Sequence, residues 1–293
     1  MQATSYYPLP SDAIEIAQRL GLHRAGRGWR GNCPLCNYSN SLALDEREGR
    51  ALLWCASCGD REGLAHLLRS AGALPDRAAP PPDRQAEAER VAERIERARA
   101  LWAGGERIEA DTPAALYLER RCISHVISYP ALRWRTGVPH PNGGSRRLAL
   151  LAEITGPDGK FAAIQRIFLK PDGTKADIEP VKASLGNVTG GAVRLQSCSA
   201  ELAVAEGLES AAAAGVILGL PAWAAISAGN LARGMILPVE IRSVVIAADH
   251  DGPGLRAAED AATRWRDEGR AVRIIRASES GHDANDVLTQ ARP

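Results

Sequence analysis

The chain has 293 residues, of which 45% are hydrophobic and 24% charged, and this length is enough for two or three globular domains. The formal net charge is only +1, but residues 1–195 carry 27 basic and 22 acidic side chains, whereas residues 196–293 carry 9 and 13. No apolar run is long enough to span a bilayer and no signal-peptide pattern is present, so we expect a soluble, cytoplasmic protein without a membrane partner.

Four cysteines near the start of the chain form two pairs. Their spacing is C-x₂-C-x₁₈-C-x₂-C, which is typical of a structural zinc site, and the ligands would be Cys33, Cys36, Cys55 and Cys58. Each pair brings two thiolates to one ion, and two pairs complete a closed tetrahedron. Two predicted strands between the pairs, 41–44 and 51–54, complete a zinc ribbon within residues 1–73. Two disulfides are the alternative, which a reducing compartment disfavours.

The ribbon is accompanied by a short helix and by arginines and tryptophans. The helix is predicted at 11–20, with Ser11 as its N-cap. The basic and aromatic side chains could hold a single-stranded template by phosphate contact and stacking, or they could pack the ribbon. We expect packing for Trp54 in particular. These side chains are Arg24, Arg27, Arg30, Trp29 and Trp54.

Residues 74–86 are predicted to be a linker, because their prolines favour an extended, semi-rigid chain. A charged helix follows at about 87–103, and a second helix begins at Pro113 with Thr112 as its cap. The apolar period then changes to two, which predicts an antiparallel meander. Its strands are expected at 148–155, 161–169 and 175–181. Residues 87–198 would therefore form a mildly basic α+β domain.

Strand and helix patterns alternate from residue 199 to residue 293, which favours a parallel sheet covered by helices. The strands are predicted at 202–206, 221–227, 243–249 and 271–277. The first ends in Glu206 and the third in Asp249, with Asp251 two residues further on. Because the carboxyl ends of parallel strands meet at one edge, these carboxylates should lie together there and suit a divalent cation. A solvated helix cap is the commoner role of a lone Asp-x-Asp.

The Glu206-Gly207 and Asp249-His250-Asp251 motifs resemble those of the Toprim domain, which occurs in DnaG-type primases, topoisomerases and some nucleases. Residues 281–286, Gly-His-Asp-Ala-Asn-Asp, are similar to the acidic stretch that follows Asp-x-Asp in those primases. The primases usually carry an aspartate four residues after the glutamate, where this chain has Ser210. Glu209 is a candidate replacement, and the sequence leaves its role open.

The complete layout resembles primases of the DnaG-related phage and plasmid type, which belong to mobile elements. The fold class is then α/β, with an N-terminal zinc ribbon, an α+β basic subdomain and a C-terminal Toprim domain with a parallel, Rossmann-like sheet. The resemblance implies a DNA primase, a nucleotidyltransferase of DNA replication that makes short RNA primers from nucleoside triphosphates on single-stranded DNA. The zinc ribbon would select the start site. No Gly-x₄-Gly-Lys-Ser/Thr motif is present, so a replicative helicase is expected in trans.

The resemblance also assigns roles to individual residues. Two-metal nucleotidyl transfer would use Mg²⁺ or Mn²⁺ in addition to structural zinc. The catalytic, metal-binding carboxylates would be Glu206, Asp249 and Asp251, with Asp283 as a further magnesium ligand. The nucleotide or template would be contacted by Arg166, Lys182 and Asp286.

Two other functions remain open from the sequence. A recombination mediator of the RecR type also joins four cysteines to a Toprim domain, but it only binds DNA. A Toprim nuclease would use the same carboxylates for hydrolysis. A topoisomerase is less compatible, because none of the five tyrosines lies in a recognisable nucleophile motif.

Overall fold

The computed structural model describes residues 13–26, 28–47, 50–57, 63–64, 66, 84–198 and 200–291. The chain divides into two units, Met1–Glu87 and Ala88–Pro293, which are described separately. Several predictions concern positions outside the described residues, namely the Ser11 cap, Arg27 as a template contact, Cys58 as a zinc ligand and residues 74–83 of the linker. Residues 84–86 of the predicted linker already belong to a helix.

The first unit contains a four-stranded antiparallel sheet with a short helix packed on it. Helix α1 spans Ala13–Arg19, and the strands, in sheet order, are β1 (His23–Ala25), β2 (Gly28–Gly31), β3 (Leu42–Arg47) and β4 (Arg50–Cys55). Alternate strand residues share one face, so Leu42, Leu44 and Leu53 are buried together with Ile16 of α1. The sequence indicated β3 and β4 but not β1 and β2, which are too short for an apolar alternation.

Helix α2 (Arg84–Ala103) begins four residues before the second unit and continues into it, and helix α3 (Pro113–Arg120) lies entirely within that unit. Helix α2 buries Ala98 and Trp102 in one core cluster with Phe168. Helix α3 starts as the sequence predicts, because Thr112 Oγ1 accepts a hydrogen bond from the Ala115 amide at 3.2 Å and Pro113 occupies the first turn.

An antiparallel sheet follows these helices, after a 3₁₀ turn at Ser124–Val126. Its strands, in sheet order, are β5 (Leu132–Val138), β6 (Arg147–Thr155), β7 (Phe161–Leu169) and β8 (Lys182–Gly186). The predicted strand at 175–181 is wrong. Lys175 forms an isolated bridge with Leu169, and the strand that pairs with β7 begins only at Lys182, after Pro180, which has no amide to donate.

The second sheet of this unit has the strand order β13-β12-β10-β11-β9. Four strands are parallel, as predicted, and are β10 (Glu201–Ala205), β11 (Ala222–Ala224), β12 (Ser243–Ala248) and β13 (Ala271–Arg276). The edge strand β9 (Val193–Arg194) is antiparallel. The helical segments are α4 (Leu208–Leu218), a π-helical turn (Asn230–Gly234), α5 (Gly252–Asp267) and α6 (Ala284–Gln290). No helix in the described ranges is long and apolar enough to cross a membrane.

The parallel sheet is covered on both faces. Ala203 and Ala205 pack in one cluster with α4, whereas Leu202 and Val204 pack in another with α5. The α4 cluster also contains Leu118 of α3 and Leu150 of β6, so the two sheets of the second unit share a core. This shared core fixes α3 and the antiparallel sheet beside the carboxyl edge of the parallel sheet.

Candidate functional site

Three of the four predicted zinc ligands converge in the first unit. The sulfur atoms of Cys33, Cys36 and Cys55 all lie within 4.8 Å of one another, which brings ligands from both predicted cysteine pairs to one place. The Ser57 amide donates to Cys55 Sγ at 3.4 Å, so the backbone of the following turn holds this sulfur atom in place. These donors fit a structural zinc ion that takes one further ligand.

The predicted carboxylates lie at the carboxyl edge of the parallel sheet. Glu206 directly follows β10, and Asp249 directly follows β12. The two strands are parallel neighbours, and Ala205 is paired with Ala247, so Glu206 is level with Ala248 and Asp249 lies one residue further along at the same edge. The hydrogen bonds of the backbone ladder therefore place two like charges at one edge.

Burial and like charge act together on this pair. Burial, and then the charges of Asp249 and Asp251, raise the pKa of Glu206 to about 7. Burial, and then the charges of Asp283 and Asp251, raise the pKa of Asp249 to about 7. Within the described structure, the buried atoms Glu206 Oε2 and Asp249 Oδ1 have no hydrogen-bond partner. Unpartnered carboxylate oxygens in a repulsive cluster fit a hard divalent cation.

The acidic edge is not a closed cage. In the parts of the chain that the structure describes, the cysteines are the only His, Cys, Asp or Glu trio with all ligand atoms within 4.8 Å. Asp251 Oδ1 accepts from the Gly254 amide at 2.6 Å and caps α5, so the commoner role of Asp-x-Asp applies to this residue. Asp283 and Asp286 cap α6 reciprocally in a capping box.

The two positions that the sequence left open have different partners. Ser210 Oγ donates a hydrogen bond to Asp283 Oδ2 at 2.8 Å. Ser210 therefore holds the carboxylate of Asp283 in place and carries no charge of its own. Glu209 accepts a hydrogen bond from the Tyr117 hydroxyl and another from Lys182 Nζ at 2.7 Å. Burial alone would raise the pKa of Glu209, but the charge and hydrogen bond of Lys182, with the Tyr117 bond, lower it to about 2. Glu209 is therefore an ionised, fully engaged carboxylate.

The two basic residues assigned to nucleotide or template lie in different surroundings. Lys182 is near the acidic edge, because its charge lowers the pKa of both Glu206 and Asp249. Arg166 is only 4% exposed, and its guanidinium donates at 2.9–3.3 Å to the backbone carbonyls of Pro139, Ala183 and Ser184. Burial lowers the pKa of Arg166 to about 10. The structure therefore places Arg166 as a support of β8, and its predicted nucleotide contact is not supported.

Sequence reasoning missed the residues that join α3 to the parallel sheet. Tyr117 binds Glu209, and Asn285, which is fully buried, donates to the Arg121 carbonyl at 2.7 Å. The sequence contained a signal for the contact of Glu209. This residue is the second in the helix Leu-Glu-Ser-Ala-Ala-Ala-Ala, whose other residues are small or apolar and indicate burial. A charged residue in a buried helix needs a partner.

Comparisons with known proteins agree with this arrangement. Residues 201–292 match the family model of the Toprim domain, and residues 92–195 match that of a domain of unknown function, DUF7146. No curated protein matches the chain. The fold and acidic edge thus define an α/β domain with a parallel sheet, and the C-terminal part of the chain is a Toprim domain, as the motifs predicted.

The solved structures to which the chain is similar include three primases. The Aquifex aeolicus primase (zinc-binding and RNA polymerase domains) has 14% identity, a TM-score of 0.48, and coverage of 96% of this chain and 80% of its own. A DnaG primase catalytic domain bound to ssDNA has 18% identity, a TM-score of 0.49 and coverage of 69% and 79%. The primase fragment of the bacteriophage T7 primase-helicase has 13% identity, a TM-score of 0.44 and coverage of 90% and 95%.

The cysteine cluster predicts about one zinc ion per purified chain. Cys55→Ser should lose this zinc and unfold the first unit while the second unit stays folded, because metal binding supplies folding energy to small zinc modules. Elemental analysis and thermal unfolding measure both effects. Cys198→Ser, in the second unit, is the matched control and should retain zinc. A zinc-free wild type would contradict this assignment.

The raised pKa values predict how the magnesium-free second unit responds to pH. Because the folded state holds protons on Glu206 and Asp249 that the unfolded state releases near pH 4, its stability should fall as the pH rises from about 4 to 7. Glu206→Gln should flatten this fall and raise the melting temperature at pH 8 by about 5 °C. Glu201→Gln, at the exposed opposite end of β10, should change neither. Equal pH profiles for wild type and Glu206→Gln would refute the repulsion.

Proposed function

We propose that this chain is a DNA primase, which joins nucleoside triphosphates into short RNA primers on a single-stranded DNA template. The observation that carries the proposal is the pair of half-buried carboxyls, Glu206 and Asp249, at the carboxyl edge of a Toprim domain, each with one buried oxygen that has no hydrogen-bond partner in the described structure. A helix cap or a structural ion pair does not need unpartnered acidic oxygens in a repulsive cluster. A site for divalent cations and phosphates does.

Glu206 and Asp249 would hold the divalent cations, with Asp251 and Asp283 supplying further negative charge. Bound Mg²⁺ or Mn²⁺ supplies positive charge for the triphosphate and for the attacking 3′-oxygen. Lys182, whose side chain is 31% exposed, would bind a phosphate oxygen with the ammonium hydrogens that Glu209 leaves free. Asp286 would act indirectly, since its carboxylate fixes the turn that holds Asp283.

The zinc unit would contact the template. Arg30 is paired with Ala43, and Ala43 with Trp54, so these residues form a row across the sheet on the face opposite the core residue Leu44. The Arg30 guanidinium lies 5.7 Å from the centroid of the Trp54 ring. Contrary to our expectation, Trp29 is the tryptophan that packs the core, at 8% exposure, and Trp54 is half-buried. A cation beside an aromatic ring suits a single strand. A helicase in trans would supply that strand.

A single assay separates the proposed function from its two alternatives. The full chain is incubated with single-stranded DNA, labelled nucleoside triphosphates and Mg²⁺. New labelled oligonucleotides support a primase, and shortened template indicates a nuclease. Template binding without either product indicates a binding module and contradicts the proposal.

The carboxylate variants test the assignment of the site. Glu206→Gln and Asp249→Asn should each reduce primer synthesis by at least about 100-fold, because each removes a charge that holds the cations. Asp251→Asn is preferable to alanine, since asparagine keeps the cap on α5. Glu201→Gln should retain full synthesis, and template binding should survive in every variant. Full activity in both Glu206→Gln and Asp249→Asn would refute the metal assignment.

A further inference from the structure

We propose that Glu209 is a positioning residue for nucleotide binding, which holds the Lys182 ammonium beside the acidic edge with the help of Tyr117. The inference rests on the proposed function, since it assigns Lys182 to the phosphates of a nucleoside triphosphate. It gives Glu209 a role other than that of a fourth acidic metal ligand.

The contacts of Glu209 carry the first step. Its side chain is 6% exposed, and each of its two oxygens has a partner from a different segment of the chain. Oε1 accepts from the Tyr117 hydroxyl of α3, and Oε2 accepts from Lys182 Nζ, at the start of β8, at 2.7 Å. A carboxylate with both oxygens engaged in a buried site is not available to a metal ion. It is well placed to fix an ammonium.

The surroundings of Lys182 carry the second step. Glu209 lies three residues after Glu206, in the first turn of α4, so the strand end and the helix start form one rigid connection. Lys182 is close enough to lower the pKa of Glu206 and Asp249. Without Glu209, the negative charges of these two carboxylates would attract Lys182. The ammonium would then compete with the divalent cation instead of facing the phosphates beside it.

A second lysine, Lys175, also lies within the influence of the Glu209 charge. Lys175 is half-buried beside the same carboxylate, and burial, followed by the charge of Lys182, lowers its pKa. The charges of Glu209 and Asp283 act on Lys175 in the opposite direction. The charge of Glu209 therefore offsets part of the repulsion between the two ammonium groups, while its hydrogen bond fixes Lys182 alone. Lys182 can then bind a phosphate as a point charge.

The test measures binding of a fluorescent ATP analogue to the full chain in the presence of Mn²⁺, with the matching monophosphate analogue as comparison. Glu209→Gln, which keeps the shape of the side chain, should weaken binding of the triphosphate about tenfold, which is the loss of about 1.4 kcal/mol. The monophosphate should be affected less. Tyr117→Phe keeps the ion pair and should show a smaller loss. Glu259→Gln, exposed on α5, is the control and should bind normally.

A double-mutant cycle shows whether Glu209 acts through Lys182. Lys182→Met should weaken triphosphate binding, and Glu209→Gln should add little in that background. Lys182→Arg should recover part of the affinity. In primer synthesis, Glu209→Gln should raise the KM for nucleotides more than it lowers kcat. Independent, additive losses in the cycle would overturn the proposal.

Other outcomes are equally decisive. If Glu209→Gln lowers the melting temperature but leaves triphosphate affinity unchanged, its role is only structural and the proposal fails. If Glu209→Gln weakens Mn²⁺ binding without nucleotide as much as Asp249→Asn does, Glu209 acts on the metal and the proposal also fails. Wild-type protein that binds the triphosphate but makes no primers would contradict the proposed function alone. Wild-type protein that does not bind the triphosphate would overturn the role of Lys182.

Discussion

Electrostatic repulsion between half-buried carboxylates at the ends of two neighbouring parallel strands is the constraint on which this site depends. The ladder between β10 and β12 brings Glu206 and Asp249 to the same edge of the sheet, because each is the first residue after its strand. Burial weakens solvation of both charges, and Asp251 and Asp283 add to the repulsion. Protons compensate this repulsion, which is why the pKa values of Glu206 and Asp249 are raised.

The packing of the second unit brings the ammonium group of Lys182 close to this edge. Helix α4 is buried through its four consecutive alanines, Ala211–Ala214, so α3 and the antiparallel sheet approach closely. The helix also lies close to the parallel sheet, since a Cβ at Gly215 would be only 3.0 Å from Ala222 Cβ. Small residues thus allow Tyr117 and Lys182, from segments far away in sequence, to reach Glu209. The region before residue 199 is therefore part of the acidic site.

The sequence predicted those parts of the structure that depend on local patterns. Apolar runs that end in Glu206 and Asp249 were sufficient to place both residues at one sheet edge, because strand direction fixes where the carboxyl ends meet. The cysteine spacing likewise predicted the cluster of Cys33, Cys36 and Cys55. In both cases, the chemistry follows from residues that lie at the ends of recognisable elements.

The features that the sequence did not predict have a physical reason in common, which is that they depend on contacts between distant segments. A charged residue such as Arg166 is expected on the solvent-facing side of a strand. Its guanidinium instead donates hydrogen bonds inside the protein to three backbone carbonyls, those of Pro139, Ala183 and Ser184. The strand expected at 175–181 begins instead at Lys182, where pairing with Ile167 of β7 is possible. The partners of Glu209 lie 92 and 27 residues away, so no local pattern could identify them.

The primases usually carry an aspartate four residues after the glutamate, whereas this chain has Ser210 there and Glu209 one residue earlier. This difference changes the negative charge at the carboxyl edge of the parallel sheet. A free aspartate at position 210 would add a further negative charge beside Glu206, Asp249 and Asp283. Ser210 instead donates a hydrogen bond to Asp283 and adds no charge. Glu209 does add a negative charge, but it is neutralised by Lys182 at 2.7 Å and buried beside Tyr117. Glu209 and Ser210 therefore leave the edge less negative than a free aspartate at position 210 would, and they hold one ammonium group, that of Lys182, close to it.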